Sequence, residues 1–193
     1  MKRTDKTQPF SDPILRMCMM AFLCAIALVA VYFIHPSIFP AVSFLKYDPA
    51  DVFIFIGTFL FGPWYGLSMT AVVSLLQGLL INPEDHIVGS LMHFVATGSF
   101  VIVCGLIYRQ VKPIKTAVIG LAAGVATMTA VMIPWNLLII PLYMPFVTVS
   151  DVLDIMLPYI IPFNLIKAGG NAVLTFILWR SLSVFMSRLT RQS

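Results

Sequence analysis

Three groups of polar residues recur at helical spacing inside otherwise apolar sequence. Asn164, Lys167 and Asn171 fall at i, i+3 and i+7, His86, Ser90, His93 and Thr97 at i, i+4, i+7 and i+11, and Thr70, Ser74 and Gln77 at i, i+4 and i+7. Each set therefore occupies one helix face. Asn136 adds a carboxamide in a further apolar run. Carboxamides present a donor beside an acceptor, and with Tyr47, Trp135, Tyr143 and Phe163 nearby to cover ring faces, the set suits a neutral, planar, hydrogen-bonding ligand. Singly, the same residues have plainer uses. Gln77 and Asn136 also suit hydrogen bonds between helices, His93 a satisfied core imidazole, and the Ser and Thr hydroxyls bonds to their own helix backbone. Lys167 either snorkels outward along its stem or needs a partner. All eight acids lie in loops or at helix ends, so the expected lining is uncharged apart from that one ammonium.

Other chemistries lack their residues. There is no GxxxxGK[ST], so no Walker-type ATP site, and the Gly169-Gly170 pair reads as close helix packing. HExxH and GxSxG are missing, and no acid lies deep in an apolar run to serve as a proton relay. His35, His86 and His93 have no metal-ligand spacing, and Cys18, Cys24 and Cys104 form no CxxC, so neither a metal site nor a disulfide framework is indicated. A nucleic-acid role has no motif.

The elements that must position these side chains are membrane helices. The chain has 193 residues, 60% hydrophobic and 10% charged, with a mean hydropathy of +0.96. Its apolar residues lie in long uncharged runs of the kind that lipid demands, which excludes a soluble catalytic domain. The fold class is all-α integral membrane, a single domain over 1–193 with six transmembrane helices at about 14–35, 51–62, 64–81, 87–108, 116–140 and 159–186. The run from Met17 to Ile34 is longer than the roughly 7–15 apolar residues of a secretory signal, and reads as a retained first helix. At Gly62-Pro63 the alternative is one kinked helix over 52–81, giving five spans.

Charge decides between five and six. With six helices and both termini cytoplasmic, ten of the twelve basic residues, Lys2, Arg3, Lys6, Arg16, Arg109, Lys112, Lys115, Arg180, Arg188 and Arg191, lie inside and Lys46 outside, following the positive-inside tendency. Residues 1–13 are then a cytoplasmic segment, while 36–50 and 141–158 are long outer loops, the first resembling a lid. The second helix rises only about 18 Å and must be shielded by protein or border a cavity. Gln77, His93, Asn136, Asn164 and Lys167 all come within about 10 Å of the outer surface. A small binding protein with no engine needs a partner that has one. Ala21 and Ala25 form a small-xxx-small pair that would admit another helix, although packing within the bundle explains it equally well.

Several motifs resemble one family: Leu45-Lys46-Tyr47-Asp48-Pro49-Ala50-Asp51-Val52, Phe61-Gly62-Pro63, Asn136 followed by Pro141-Leu142-Tyr143, and Pro162-Phe163-Asn164-Leu165-Ile166-Lys167. They are similar to the riboflavin type of substrate-binding S component of energy-coupling factor (ECF) vitamin transporters, and extend over most of the chain. Phe53 departs from the family's frequent Pro. The resemblance implies a non-enzymatic protein of the bacterial plasma membrane that needs no cofactor, captures riboflavin from outside and relies on a transmembrane T subunit and two ABC-type ATPases. It implies that Asn136, Asn164 and Lys167 hold the isoalloxazine polar edge, that Leu45 to Asp48, with Tyr47 between them, close over the ligand, and that Ala21 and Ala25 meet the T subunit. Gln77 and His93 are added from position, as candidates for the ribityl hydroxyls. The rivals are an S component for another vitamin such as thiamine, and a membrane enzyme using His93 as a base.

Overall fold

A computed structural model of the chain describes residues 12–81, 86–110 and 114–189. Lys2, Arg3, Lys6, Lys112, Arg191 and nearly all of the 1–13 segment lie outside the described residues, as do the side chains of His86, Arg109 and Arg188. The described residues form α1 (Pro13–Phe33), α2 (Ala50–Phe61), α3 (Pro63–Leu80), α4 (His86–Gln110), α5 (Ile114–Tyr143), α6 (Val149–Ile155) and α7 (Ile161–Leu189). Among them there is no β-strand, only one isolated bridge between Ser37 and Lys46. Four stretches are long and apolar enough to cross a membrane: Pro13–Phe33, Ile87–Tyr108, Ile114–Tyr143 and Val149–Ser181. The chain is a multi-pass membrane protein.

Local sequence explains the helix ends. Asp12 caps α1, its Oδ1 accepting from the Ile14 N–H at 2.9 Å, with Pro13 in the first turn where its missing N–H costs nothing. Gly62 adopts φ 101°, a left-handed conformation that favours glycine, and Pro63 opens the next helix. Residues 52–81 are therefore two helices and not one kinked rod. The expectation of an outer loop over 141–158 is corrected. α5 runs on to Tyr143 through Pro134 and Pro141, and after a short turn the chain is helical again from Val149, joined to α7 by a π-helical turn at Met156–Ile160. Pro158 and Pro162 withhold two N–H groups that a regular helix would use, and the ladder widens there, with the Ile161 N–H reaching back to the Met156 carbonyl. A capping box between Thr148 and Asp151 starts α6.

α2 is the axis of the packing. It touches α1, α3, α4 and α7, and nine of its twelve residues are buried, as a helix too short to span by itself must be. Phe55 of α2 stacks on Phe100 of α4 with ring centroids 3.8 Å apart, in a core that includes Ala27, Ile54, Met69, Val73, Met128 and Ala168. A second cluster joins Val42 and Leu45 of the α1–α2 connection to Ile140, Val152, Met156, Ile160 and Phe163, which seats that connection on α5, α6 and the start of α7.

Close helix approach lies elsewhere than at the Gly169-Gly170 pair. A Cβ at Gly169 would meet nothing within 4 Å, and one at Gly170 only the Tyr47 hydroxyl at 3.9 Å. By contrast, a Cβ at Gly105 would lie 2.9 Å from the Pro63 backbone and 2.8 Å from Thr58 Cγ2, and one at Gly66 would collide with Thr58 Oγ1. Gly105→Ala is expected to destabilise the chain by about 1–3 kcal/mol through overpacking, whereas Gly169→Ala should leave the thermal unfolding midpoint in detergent unchanged. Equal midpoints for the two variants would contradict this packing.

Candidate functional site

A pocket opens between the α1–α2 connection and α3, α4, α5 and α7. All eight residues expected to bind ligand line it: Leu45, Tyr47 and Asp48 from the connection, Gln77 from α3, His93 from α4, Asn136 from α5, and Asn164 and Lys167 from α7. Tyr143 and Phe163 are in the wall as well; Trp135 is not, and packs on the main core. Helical spacing put the α3, α4 and α7 residues on common faces, and the helices turn those faces toward one another.

The two asparagines are prepared in the same way. Asn136 Nδ2 donates to the Met132 carbonyl at 2.6 Å, and Asn164 Nδ2 to the Ile160 carbonyl at 2.8 Å. One amide hydrogen thus anchors each side chain to its own helix and the other remains for a ligand. Asn136 is 0% exposed, and among the described residues its Oδ1 has no hydrogen-bond partner. A buried amide oxygen left unpaired costs about 1–3 kcal/mol, so this acceptor is poised to take a donor.

The expected uncharged lining is corrected. Two carboxylates are buried beside Lys167: Asp48 in the pocket wall, and Asp51 behind it, in the first turn of α2 and 0% exposed. Lys167 Nζ lies 3.5 Å from Asp51 Oδ2 and 4.0 Å from Asp48 Oδ2. It pairs inward and does not snorkel. Asp48 Oδ1 accepts from the Ala50 N–H at 2.9 Å, while its Oδ2 takes Gln77 Nε2 at 3.0 Å and His93 Nε2 at 2.9 Å. Asp51 Oδ1 accepts from His93 Nε2 at 3.1 Å and Thr97 Oγ1 at 2.7 Å. Because both partners of His93 Nε2 are carboxylates, that nitrogen carries the hydrogen, while Nδ1 meets Ser74 Oγ at 2.6 Å. Asp48, Asp51 and His93 bring three donor atoms within 4.8 Å of one another, a set that a metal ion could use. The positive charge beside both carboxylates is the chain's own ammonium.

Sequence reasoning missed Asp51 because it begins a helix, a place where acids are ordinary. The available signal was its spacing from Asp48 and the need of Lys167 for a partner. Asn171, on the same helix face as Lys167, is a second residue whose part the sequence does not show. Its Nδ2 donates to the Asp48 carbonyl at 2.7 Å and to Asp51 Oδ2 at 3.1 Å, while its Oδ1 accepts from the Tyr47 hydroxyl at 2.6 Å. One α7 side chain therefore fastens the end of the α1–α2 connection. Asn171→Ala removes these bonds and is expected to speed amide hydrogen exchange in residues 44–48, by the factor that corresponds to losing about 1–3 kcal/mol. Protection unchanged from the parent would show that the segment is held by other contacts.

Among the described residues, Ala21 and Ala25 are exposed on α1.

Comparison with known proteins agrees with this architecture. The sequence matches the family "ECF transporter, substrate-specific component" over residues 15–179. It is 30% identical over 179 residues to the riboflavin transporter RibU of Staphylococcus aureus, covering 90% of this chain and 93% of that protein. Identity to the riboflavin transporter FmnP of Bacillus subtilis is 28% over 160 residues, or 79% of this chain and 83% of the relative. RibU of Streptococcus thermophilus is 25% identical over 181 residues, 90% of this chain and 85% of the relative. A solved S component of a bacterial ECF transporter superposes with a TM-score of 0.76 at 30% identity, covering 91% of this chain and 99% of that one. A shared six-residue-scale motif could arise by chance, but a match over nearly the whole length, in both sequence and fold, could not: the chain belongs to the substrate-specific (S) component family of ECF transporters.

Proposed function

We propose that this S component captures riboflavin from outside a bacterial cell and delivers it inward, using energy supplied by a transmembrane T subunit and two ABC-type ATPases. It is not an enzyme, since its family consists of substrate-specific transporter components. The relatives named above are riboflavin transporters. In the proposed topology six helices, α1 to α5 and α7, cross the membrane with both termini cytoplasmic, and the α1–α2 connection covers the pocket on the outer side. At 18 residues α3 rises about 27 Å, close to the hydrocarbon thickness. The whole of 1–193 acts as one membrane domain.

The observation that carries the reading is the unpartnered Asn136 Oδ1 in a pocket wall shared with Asn164 and Lys167. An isoalloxazine presents an imide edge of carbonyl, N–H and carbonyl. Asn136 Oδ1 accepts from the N–H, and the Asn164 amide and the Lys167 ammonium donate to the carbonyls. Phe44, Met92, Met128, Met132, Ile140 and Phe163, which also line the pocket, cover the ring faces. Gln77, His93 and Asp48 lie where a ribityl chain offers hydroxyls, and Leu45 to Asp48 close over the ligand.

The pocket carboxylate does not favour a cationic vitamin such as thiamine. Asp48 Oδ2 already receives Gln77, His93 and Lys167, and Oδ1 the Ala50 N–H, so a cationic ligand would have to displace donors that the carboxylate already holds. His93 is engaged at both nitrogens, by Ser74 Oγ and by the two carboxylates, and what sets the enzyme reading aside is the family, which is one of transporter components. The exposed Ala21 and Ala25 face is the docking surface for the T subunit, where small side chains let helices approach closely.

Chain purified from riboflavin-containing medium should emerge yellow, with a flavin spectrum. A colourless, folded preparation would count against the reading. Asn136→Ala and Asn164→Ala are each expected to weaken riboflavin affinity by about 1–3 kcal/mol, the usual penalty for removing one member of a buried hydrogen bond. Isothermal titration of the folded variants checks this, and parental affinities would remove the two amides from the site. Trp in place of Ala21 and Ala25 should abolish cellular uptake while the purified variant still binds riboflavin. Loss of neither uptake nor binding would mean that the face is not the docking surface.

A further inference from the structure

Asp51 stands behind the pocket and is not part of its lining. Its two oxygens divide their work. Oδ1 faces α4, where it takes His93 Nε2 at 3.1 Å and Thr97 Oγ1 at 2.7 Å. Oδ2 faces α7, where it takes Asn171 Nδ2 at 3.1 Å and Lys167 Nζ at 3.5 Å. Of these four partners, His93 and Lys167 line the pocket and Thr97 and Asn171 do not. The carboxylate thus binds two ligand-facing groups from one side and is itself clamped by two groups that never reach the ligand.

Lys167 is the group for which this matters most. Its ammonium sits on a flexible four-carbon stem with no preferred direction of its own, so its place in the wall is decided by whatever opposes its charge. Asp51 is nearer than Asp48, at 3.5 Å against 4.0 Å, and Oδ2 of Asp48 is already shared with Gln77 and His93. Asp51 is also held rigidly, by hydrogen bonds from two helices and by its position in the first turn of α2. Asp48 is held as well, by the Ala50 N–H, Gln77 and His93, but those bonds occupy its oxygens and leave it the more distant of the two carboxylates from the ammonium.

We infer that Asp51 is a positioning residue for ligand capture, a fixed negative charge that aims the Lys167 ammonium at the polar edge of the bound ring. The inference rests on the riboflavin reading of the pocket. Asp51→Asn keeps the shape but turns an N–H donor toward Asn171 Nδ2 and Lys167 Nζ, or toward His93 and Thr97 if the amide is flipped. In the first orientation donor faces donor at both partners, in the second at His93 Nε2, since the Thr97 hydroxyl can turn to accept, and in either the ammonium loses the charge that fixed it.

The test titrates riboflavin into the full chain in detergent, comparing the parent with Asp51→Asn, Lys167→Gln and the double variant. Asp51→Asn should weaken binding about tenfold or more in the parent background, but by less than about threefold once Lys167 is Gln, the non-additivity expected of residues that act through one contact. At saturating riboflavin, the visible absorption bands of the bound flavin should also move in Asp51→Asn toward those in Lys167→Gln, because a cation beside the ring edge perturbs them. Equal losses in both backgrounds with unshifted bands would make Asp51 a structural residue only and overturn the proposal. Absence of binding by the parent would instead overturn the riboflavin reading. If Asp51→Asn does not purify as a monodisperse protein, Thr97→Val replaces it, taking one hydrogen bond from the carboxylate and leaving its charge. A loss of about threefold that vanishes in the Lys167→Gln background supports the proposal, and the same loss in both backgrounds overturns it.

Discussion

The pairing of Lys167 with Asp48 and Asp51 is the constraint around which the rest of the molecule is arranged. An ion moved from water into a low-dielectric interior loses several kcal/mol of solvation, and only close opposite charge with full hydrogen bonding compensates for it. The chain meets that demand by drawing partners from five places: the α1–α2 connection, α2, α3, α4 and α7. This convergence requires α2 to be short and enclosed, because its first turn must deliver Asp51 to the centre of the bundle. It also requires the connection before α2 to fold inward at Asp48, which Asn171 secures from the other side.

The pocket wall and the segment beside it are thereby tied together by the same side chain. Tyr47 and Asp48 belong to the segment over the pocket, and both are fastened to α7 through Asn171, one helical turn from Lys167. Lys167 and Asn164 of the pocket wall thus belong to the same helix that holds the end of the α1–α2 connection in place. A neutral ring suits such a site. It can satisfy the directed donors and the Asn136 acceptor without displacing the donors that Asp48 already holds, whereas a cationic ligand would have to compete with them.

Periodicity made the helices legible, because apolar runs bounded by Pro, Gly and charge report a membrane span almost directly. Each expected helix lies within about three residues of an observed one at either end, the usual uncertainty of helix boundaries. Prolines caused the main error: Pro141 and Pro158 read as loop, yet packed helices tolerate them, in one case by widening into a π turn. The polar faces were readable because side chains three, four and seven residues apart must share a direction. What could not be read was pairing across helices. Asp51 and Asn171 are 120 residues apart, and nothing local in either stretch shows that they meet. Gly169-Gly170 misled for the related reason that small residues permit close approach without requiring it, while Gly66 and Gly105, unremarked in the sequence, are where helices do touch.

Fluorescence titration of the purified chain with riboflavin, with thiamine as competitor, separates a neutral flavin pocket from a site for cations. A neutral flavin pocket predicts saturable quenching at one riboflavin per chain that excess thiamine does not reverse. Quenching that never saturates, or that thiamine abolishes, would contradict it.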